Sequence, residues 1–396
     1  MGPLFSCHAA GSPTRHRVAP SGRAILGSSS PPIPIDSASA ASPGPFPPAS
    51  AGGVTTLAAG AELPDHVADR LEQGLRLRQQ GHRGRFAPSP TGALHRGNLR
   101  TALLSWLDAR LGGGVWLLRL DDLDTPRNRP GAAEAIEADL RWLGLDWDGP
   151  VIRQSERRGL YATALSALRR SGRLYPCRCS RRLLADISAP HGGLQVYPGT
   201  CRSRAPFWGL QEGRLPSWRL RLETGSLIWQ ERVGAPGCLD ATAAVGDPVL
   251  RRADGLIAYH LATALDELLL GISDVVRGED LWSSTAPQVA VMAALGQRPP
   301  RYGHVPLWRD AAGERLSKRE AAEGLEGFRR QGLDAPAVIG ELAASLRLVP
   351  PGSRLSAAEL LASLEPDALA RALGAPEAGD EDGDPHAAER IQRPRI

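Results

Sequence analysis

Only one of the 47 basic side chains in this 396-residue chain is a lysine, Lys318; the other 46 are arginine. A compact, mobile ammonium differs chemically from a planar guanidinium fork, so a lone lysine marks a position that needs the former, with codon drift as the competing reading. A second concentration of reactive types is Arg85-Phe86-Ala87-Pro88-Ser89-Pro90-Thr91-Gly92-Ala93-Leu94-His95-Arg96-Gly97-Asn98. An arginine, hydroxyls, a histidine and a glycine at a turn before a helix suit an anion: His95 can donate to phosphate oxygens, Gly97 lets a flat ring approach the backbone, and the helix dipole adds its positive end. Taken alone, a histidine in that place is more often a helix cap. A third is Cys177-Arg178-Cys179, followed after a gap by Tyr197-Pro198-Gly199-Thr200-Cys201. Three thiolates and one nitrogen or oxygen donor satisfy tetrahedral zinc in a closed, structural site, with buried free cysteines as the alternative. Cys7 and Cys238 have no partner motif.

These residues need elements to position them. Val67, Leu71, Leu75 and Leu77 predict an amphipathic helix over 65–80, and 83–87 predicts a short strand. A helix over 97–111 and a compact apolar strand over 114–120 follow, giving the βαβ unit whose first turn receives anionic ligands. Helices are expected over 131–143 and 157–172, strands within 215–250, then strand, helix and strand across 257–276. From Glu320 onward the chain reads as helical, broken at Pro336, Pro350-Pro351 and Pro366.

Composition sets the outer bounds. The length allows about two domains and a core that folds without staples. Five cysteines are too few for a disulfide scaffold, and no long uncharged apolar run suggests a membrane span. A net charge of +4 permits an anionic partner without arguing for one. The first 60 residues carry ten prolines, ten serines and a single acid, Asp36, a composition of disorder. That segment is expected to be a transit-like extension or an upstream-called start.

The fourteen-residue string from Arg85 resembles the signature of class I aminoacyl-tRNA synthetases of the glutamyl subgroup. Four further segments match in order: Arg119 to Arg127, Ala253 to His260, Val276 to Leu281, and Arg315-Leu316-Ser317-Lys318-Arg319. The resemblance implies a doubly wound parallel Rossmann-type α/β fold, with a zinc-bearing insertion and a helical C-terminal part. It implies a first half of the nucleotide domain over 64–176, the insertion over 177–245, a second half with the lysine loop over 246–319, and helices with an acidic tail over 320–396.

It further implies that His95 and Lys318 stabilise phosphate charge during amino-acid activation, with Gly97 and Asn98 also at ATP and Mg²⁺ accompanying the nucleotide. Glutamate falls to Arg85, Phe86, Ala87, Pro88, Ser89, Asp121, Tyr259 and Arg277. Arg85 as a strand-end surface charge, and Arg277 as an ion pair with Glu279 or Asp280, are the rival readings. Asp121 stands where the subgroup usually has Glu, and Asn98 where the general signature has a second His, so the amine contact and the charge at 98 depart from the pattern. Tyr197 and Cys201 match a Tyr-x-x-x-Cys element of one branch, making Cys177, Cys179, Tyr197 and Cys201 the implied ligands of one Zn²⁺, with His191 the rival fourth.

Only 77 residues follow Arg319, too few for the subgroup's anticodon-binding region. With the zinc element, this is similar to a branch that activates glutamate without tRNA and esterifies it to queuosine in the anticodon of tRNA(Asp). The alternatives are a catalytic body charging tRNA(Glu) and a silent tRNA-binding paralogue. A monomer without membrane partners is expected, in the cytoplasm, or in a plastid if the extension is a transit peptide.

Overall fold

In the computed structural model of the chain, residues 60–180, 196–308, 324–365 and 367–374 are described. The order begins α1 (Asp65–Gln80), β1 (Arg83–Phe86), α2 (Arg96–Leu111), β2 (Val115–Leu120), α3 (Ala132–Trp142), β3 (Ile152–Arg153) and α4 (Arg158–Arg170). Strands β1, β2 and β3 form a parallel ladder in that order, with Phe86 opposite Leu118 and Leu120 opposite Arg153. A second parallel pair, β9 (Asp274–Gly278) with β10 (Arg301–Val305), meets the first where the Ser273 amide donates to the Arg83 carbonyl at 3.0 Å. Helix α5 (Tyr259–Leu269) precedes β9, and α6 (Thr285–Ala294) connects it to β10.

Local chemistry explains the boundaries. Strand β2 is covered on both faces: Trp116, Leu118 and Leu120 on one are fully buried, and on the other Leu117 is buried and Arg119 fully so within its ion pairs. Helix α2 buries Leu99, Leu103, Leu104 and Leu107 in the same core. Its first turn is closed by a reciprocal cap, in which His95 Nδ1 accepts from the Asn98 amide (3.2 Å) and Asn98 Oδ1 accepts from the His95 amide (3.3 Å).

Between the two parallel ladders lies an antiparallel unit. β4 (Leu174–Cys177), β5 (Ser217–Leu220) and β8 (Val249–Arg251) form one sheet, and β6 (Ser226–Trp229) with β7 (Gly237–Asp240) a hairpin. This ladder starts just before the first cysteine and closes at Arg251.

Two expectations change. Ile257 makes one isolated bridge to Arg251 instead of a strand, because α5 starts two residues later. Pro336 does not break a helix; it sits in the first turn of α8 (Ala335–Ser345), behind the capping Asp334, where its missing N–H costs nothing. Helix α7 (Gly324–Arg330) comes before it, and α9 (Ala357–Ser363) and α10 (Ala368–Ala372) follow. Pro366 lies outside the described residues. Among the described residues no helix is long and apolar enough to cross a membrane.

Candidate active site

A cleft of about 570 Å³ opens beside the carboxyl end of β2, its walls including Ser89, Asp121, Tyr197, Arg252, Tyr259 and His260. It therefore gathers Ser89, Asp121 and Tyr259 of the expected glutamate set. The Asp121 amide donates to the Pro88 carbonyl at 3.0 Å, which fixes the first turn against the end of β2. Phe86 turns away into the core, stacked on Trp116 at 6.2 Å between centroids, so its side chain is not a wall of the cleft. Ala87 is half-buried and Pro88 buried at the same turn.

Arg85 and Arg277 lie behind that wall, only 4% and 3% exposed. Arg85 is not a surface charge: its Nε donates to Glu267 Oε1 at 2.9 Å and its Nη1 to the Val276 carbonyl at 3.1 Å. Arg277 pairs with neither Glu279 nor Asp280 in the described hydrogen bonds; it donates to Gln288 Oε1 (2.8 Å), Thr285 Oγ1 (2.6 Å) and His304 Nε2 (3.4 Å). His304 in turn contacts Glu231 through Nδ1 at 3.1 Å.

Asp121 is gripped by Arg119, with Oδ1 to Nε at 2.6 Å and Oδ2 to Nη2 at 3.2 Å. Burial pushes its carboxyl up to about 6, against the opposing pull of the Arg119 guanidinium. Arg119, fully buried, also reaches Glu267 at 3.4 Å and Asp266 at 3.9 Å. Burial works against ionisation of Glu267, yet Arg85 and then Arg119 outweigh it and hold the carboxyl below its usual range.

His95 is the helix cap that its sequence position allowed, and its remaining ring nitrogen is left over to donate. Because Nδ1 accepts the Asn98 amide, the ring proton belongs on Nε2, which remains available to an anion. Burial lowers its pKa further, with Asp280 opposing, so the neutral ring prevails at pH 7. A Cβ at Gly97 would stand 3.1 Å from His95 Cε1, so the ring that this glycine accommodates is the imidazole itself. Asn98 uses its backbone amide and Oδ1 in the cap. None of these three residues lines the cleft. Lys318 and His191 lie outside the described residues.

The sulfur atoms of Cys177, Cys179 and Cys201 lie within 4.8 Å of one another, and Cys179 to Cys201 measures 3.7 Å. Two thiolates held at about 2.3 Å by one tetrahedral ion stand roughly 3.8 Å apart, so the spacing fits a metal of that kind. Tyr197 Oη is 3.4 Å from Cys177 Sγ and 3.8 Å from Cys179 Sγ, and it accepts the Cys201 amide at 2.8 Å. Burial pushes the Cys179 thiol up to about 11, with Cys177 adding to it. Burial opposes ionisation of Cys201 too, but the Arg178 amide and the Tyr197 hydroxyl bring that thiol below its usual value. The cluster can hold a metal.

Sequence reasoning did not assign the buried carboxylates Asp266 and Glu267. Their signal was present: two adjacent acids inside the apolar run from Leu261 to Ile272 are costly unless paired. His260 closes one of the matching segments without a role implied for it, yet it lines the cleft with its Nδ1 unpartnered, and burial lowers its pKa to about 4.

A βαβ turn capped by histidine, a split parallel sheet and a cleft at the strand ends define the catalytic body of a class I synthetase. Residues 82–342 match the family described as tRNA synthetases class I (E and Q), catalytic domain, and the chain belongs to that family. Among its relatives, a protein named Glutamyl-Q tRNA(Asp) synthetase from Prochlorococcus marinus (strain MIT 9303) is 58% identical over 309 residues, covering 78% of this chain and 96% of the relative. One with the same name from Parasynechococcus marenigrum (strain WH8102) is 60% identical over 303 residues, covering 76% and 96%. Among solved structures, a glutamate tRNA ligase from Elizabethkingia meningosepticum CCUG26117, in complex with its amino acid, superposes with a TM-score of 0.61 at 28% identity. That match covers 73% of this chain, which spans only 65% of the solved ligase.

Proposed function

We propose that this enzyme activates glutamate with ATP as glutamyl-adenylate and transfers the glutamyl group to queuosine in the anticodon of tRNA(Asp). The observation that carries the reading is a contrast in coverage: the chain matches 96% of relatives named Glutamyl-Q tRNA(Asp) synthetase but 65% of a solved glutamate tRNA ligase.

In activation a glutamate α-carboxylate oxygen bonds to the α-phosphorus as the bond to the β-phosphate bridge breaks, and pyrophosphate departs. No side-chain nucleophile is needed, so positioning and charge stabilisation supply the rate. His95 donates from Nε2 to a phosphate oxygen, held there by Asn98, with Gly97 leaving room for its ring. Lys318 supplies a compact cation, and Mg²⁺ accompanying ATP would offset phosphate charge. Asp121 and Tyr259 face the substrate in the cleft with Ser89. Arg277, held by Gln288, Thr285 and His304, and Arg85, held by Glu267, contribute positive field to the glutamate from behind the cleft wall. Asp121, one methylene shorter than Glu and drawn onto Arg119, meets the substrate amine from the side of Arg119. Cys177, Cys179, Cys201 and Tyr197 would hold one Zn²⁺, a closed structural site that would tie β4 to the loop before β5.

The test uses purified protein, ATP, labelled glutamate and tRNA(Asp) with or without queuosine, the tRNA 3′ end oxidised beforehand under conditions that spare the queuosine diol. Label that requires queuosine and survives 3′ oxidation is expected. Label only on the 3′ end of tRNA(Glu) overturns the reading in favour of a conventional synthetase.

A further inference from the structure

Among the described residues six large hydrophobic side chains are exposed, and three of them, Phe207 (55%), Leu210 (64%) and Leu215 (38%), fall in one loop of the antiparallel unit. The loop is rigidly built. Arg178, between two of the clustered cysteines, donates from Nη1 to the Arg214 carbonyl at 3.0 Å and from Nη2 to the Gly209 carbonyl at 2.5 Å. Gln211 and Arg214 pair across a two-residue turn in which Glu212 (φ 50°) and Gly213 (φ 70°) are both left-handed. Trp208 points the other way, edge-on to Trp218 at 5.0 Å and covered by Arg169 at 4.2 Å. The apolar tips are therefore held outward by a framework that packs the neighbouring tryptophan, half-buried, on its inner side.

The exposed charge around the tips is mostly of one sign: Arg202, Arg219 and Arg221 turn inward to Asp247 and to backbone carbonyls, which leaves Arg204, Arg214 and Arg178 against a single exposed acid, Glu212. Arg204 and Arg214 are exposed beside the tips, and the Arg178 guanidinium lies 5.3 Å from the Phe207 ring centroid. A rigid exposed ring flanked by guanidinium groups matches the requirements of an unpaired nucleotide: a flat face for a base and cations for the phosphates on either side. A protein partner would be expected to meet some complementary acid here, and only Glu212 is offered.

We propose that the loop from Arg202 to Leu215 is an RNA-docking surface, on which Phe207 stacks an unpaired base of the tRNA while Arg204 and Arg214 contact its backbone. This rests on the proposed tRNA substrate and adds where that substrate is gripped outside the cleft.

The test is the Kd of fluorescently labelled tRNA(Asp) for wild type, Phe207→Ala, Leu210→Ser and the double variant Arg204→Gln/Arg214→Gln, over a range of salt. Glutamate-dependent pyrophosphate exchange is measured in parallel. Phe207→Ala should raise Kd about 5- to 100-fold, the range for removing one base–aromatic stack, and Phe207→Trp should restore it. The double variant should flatten the slope of log Kd against log salt by roughly 0.7 for each phosphate left without its arginine. Exchange should stay at the wild-type rate throughout. An unchanged Kd in Phe207→Ala and Leu210→Ser overturns the proposal, as does a loss of exchange that parallels the loss of binding. Binding of these tips to anionic phospholipid vesicles in preference to tRNA would overturn it as well. If wild type charges only the 3′ end of tRNA(Glu), the proposed function fails while the loop is still tested by the Kd of that tRNA.

Discussion

Replacing Glu267 with Gln removes one negative charge from the buried group that also contains Arg85, Arg119, Asp121 and Asp266, while keeping volume nearly constant. Glu267 is 1% exposed; its Oε1 accepts from Arg85 Nε at 2.9 Å and from Arg119 Nη1 at 3.4 Å. Breaking a buried pair by neutralising one partner costs about 3–5 kcal/mol, because the remaining charge stays buried. For a body of this size, each kcal/mol lowers Tm by roughly 2–4 °C, so Glu267→Gln should melt about 6–20 °C below wild type. The sign with pH is fixed. The folded carboxyl is held below its unfolded value, so its contribution is complete above the unfolded pKa of about 4.3 and is lost as pH falls through the lower folded pKa. Scanning calorimetry from pH 8 down to pH 3 should therefore show a wide gap at neutrality that narrows below about pH 4. A loss under 1 kcal/mol at pH 7, or a gap independent of pH, would refute the ion-pair account. The same variant should raise KM for glutamate in pyrophosphate exchange, since Arg85 loses its anchor.

Three further outcomes are expected. With Asp121 pushed up to about 6, protonation below that pH removes a partner for the substrate amine, so KM for glutamate should rise about tenfold per pH unit there, and Asp121→Asn should abolish the dependence. His95→Ala should slow pyrophosphate exchange by about 10²–10³-fold, the usual loss for one positioned donor, and cost about 1 kcal/mol of stability through the helix cap, measured by urea denaturation. Cys201→Ser should reduce zinc content below one ion per chain by atomic absorption and lower Tm, and a chelator should reproduce that loss in wild type.

The βαβ unit was readable because its elements rest on local patterns: the apolar run of β2 and the helix beginning at Arg96-Gly97-Asn98 appear in the sequence within a residue or two. The cysteine cluster was readable too, since two of its members are adjacent in spacing and the third follows a distinctive tyrosine. What the sequence did not disclose are contacts across long separations. Arg85 on β1 meets Glu267 on helix α5, and Arg277 meets His304 across the parallel β9–β10 pair; the spacing of either arginine says nothing about that partner. At Pro336 the missing amide falls in the first turn, so the proline marks the start of α8 after the interruption that follows Arg330, and the side chain of Phe86 owes its placement to Trp116 on the neighbouring strand.

Tyr197 belongs to two places at once. Its ring forms part of the cleft and lies 3.7 Å from the Arg219 guanidinium, while its hydroxyl touches the cysteine cluster. A side chain shared in this way offers a route for coupling between the two places. Any factor by which a cation bound at the sulfurs changes the affinity of the cleft is also the factor by which occupancy of the cleft changes the hold on that cation. Such a coupling, read from either end, is one number.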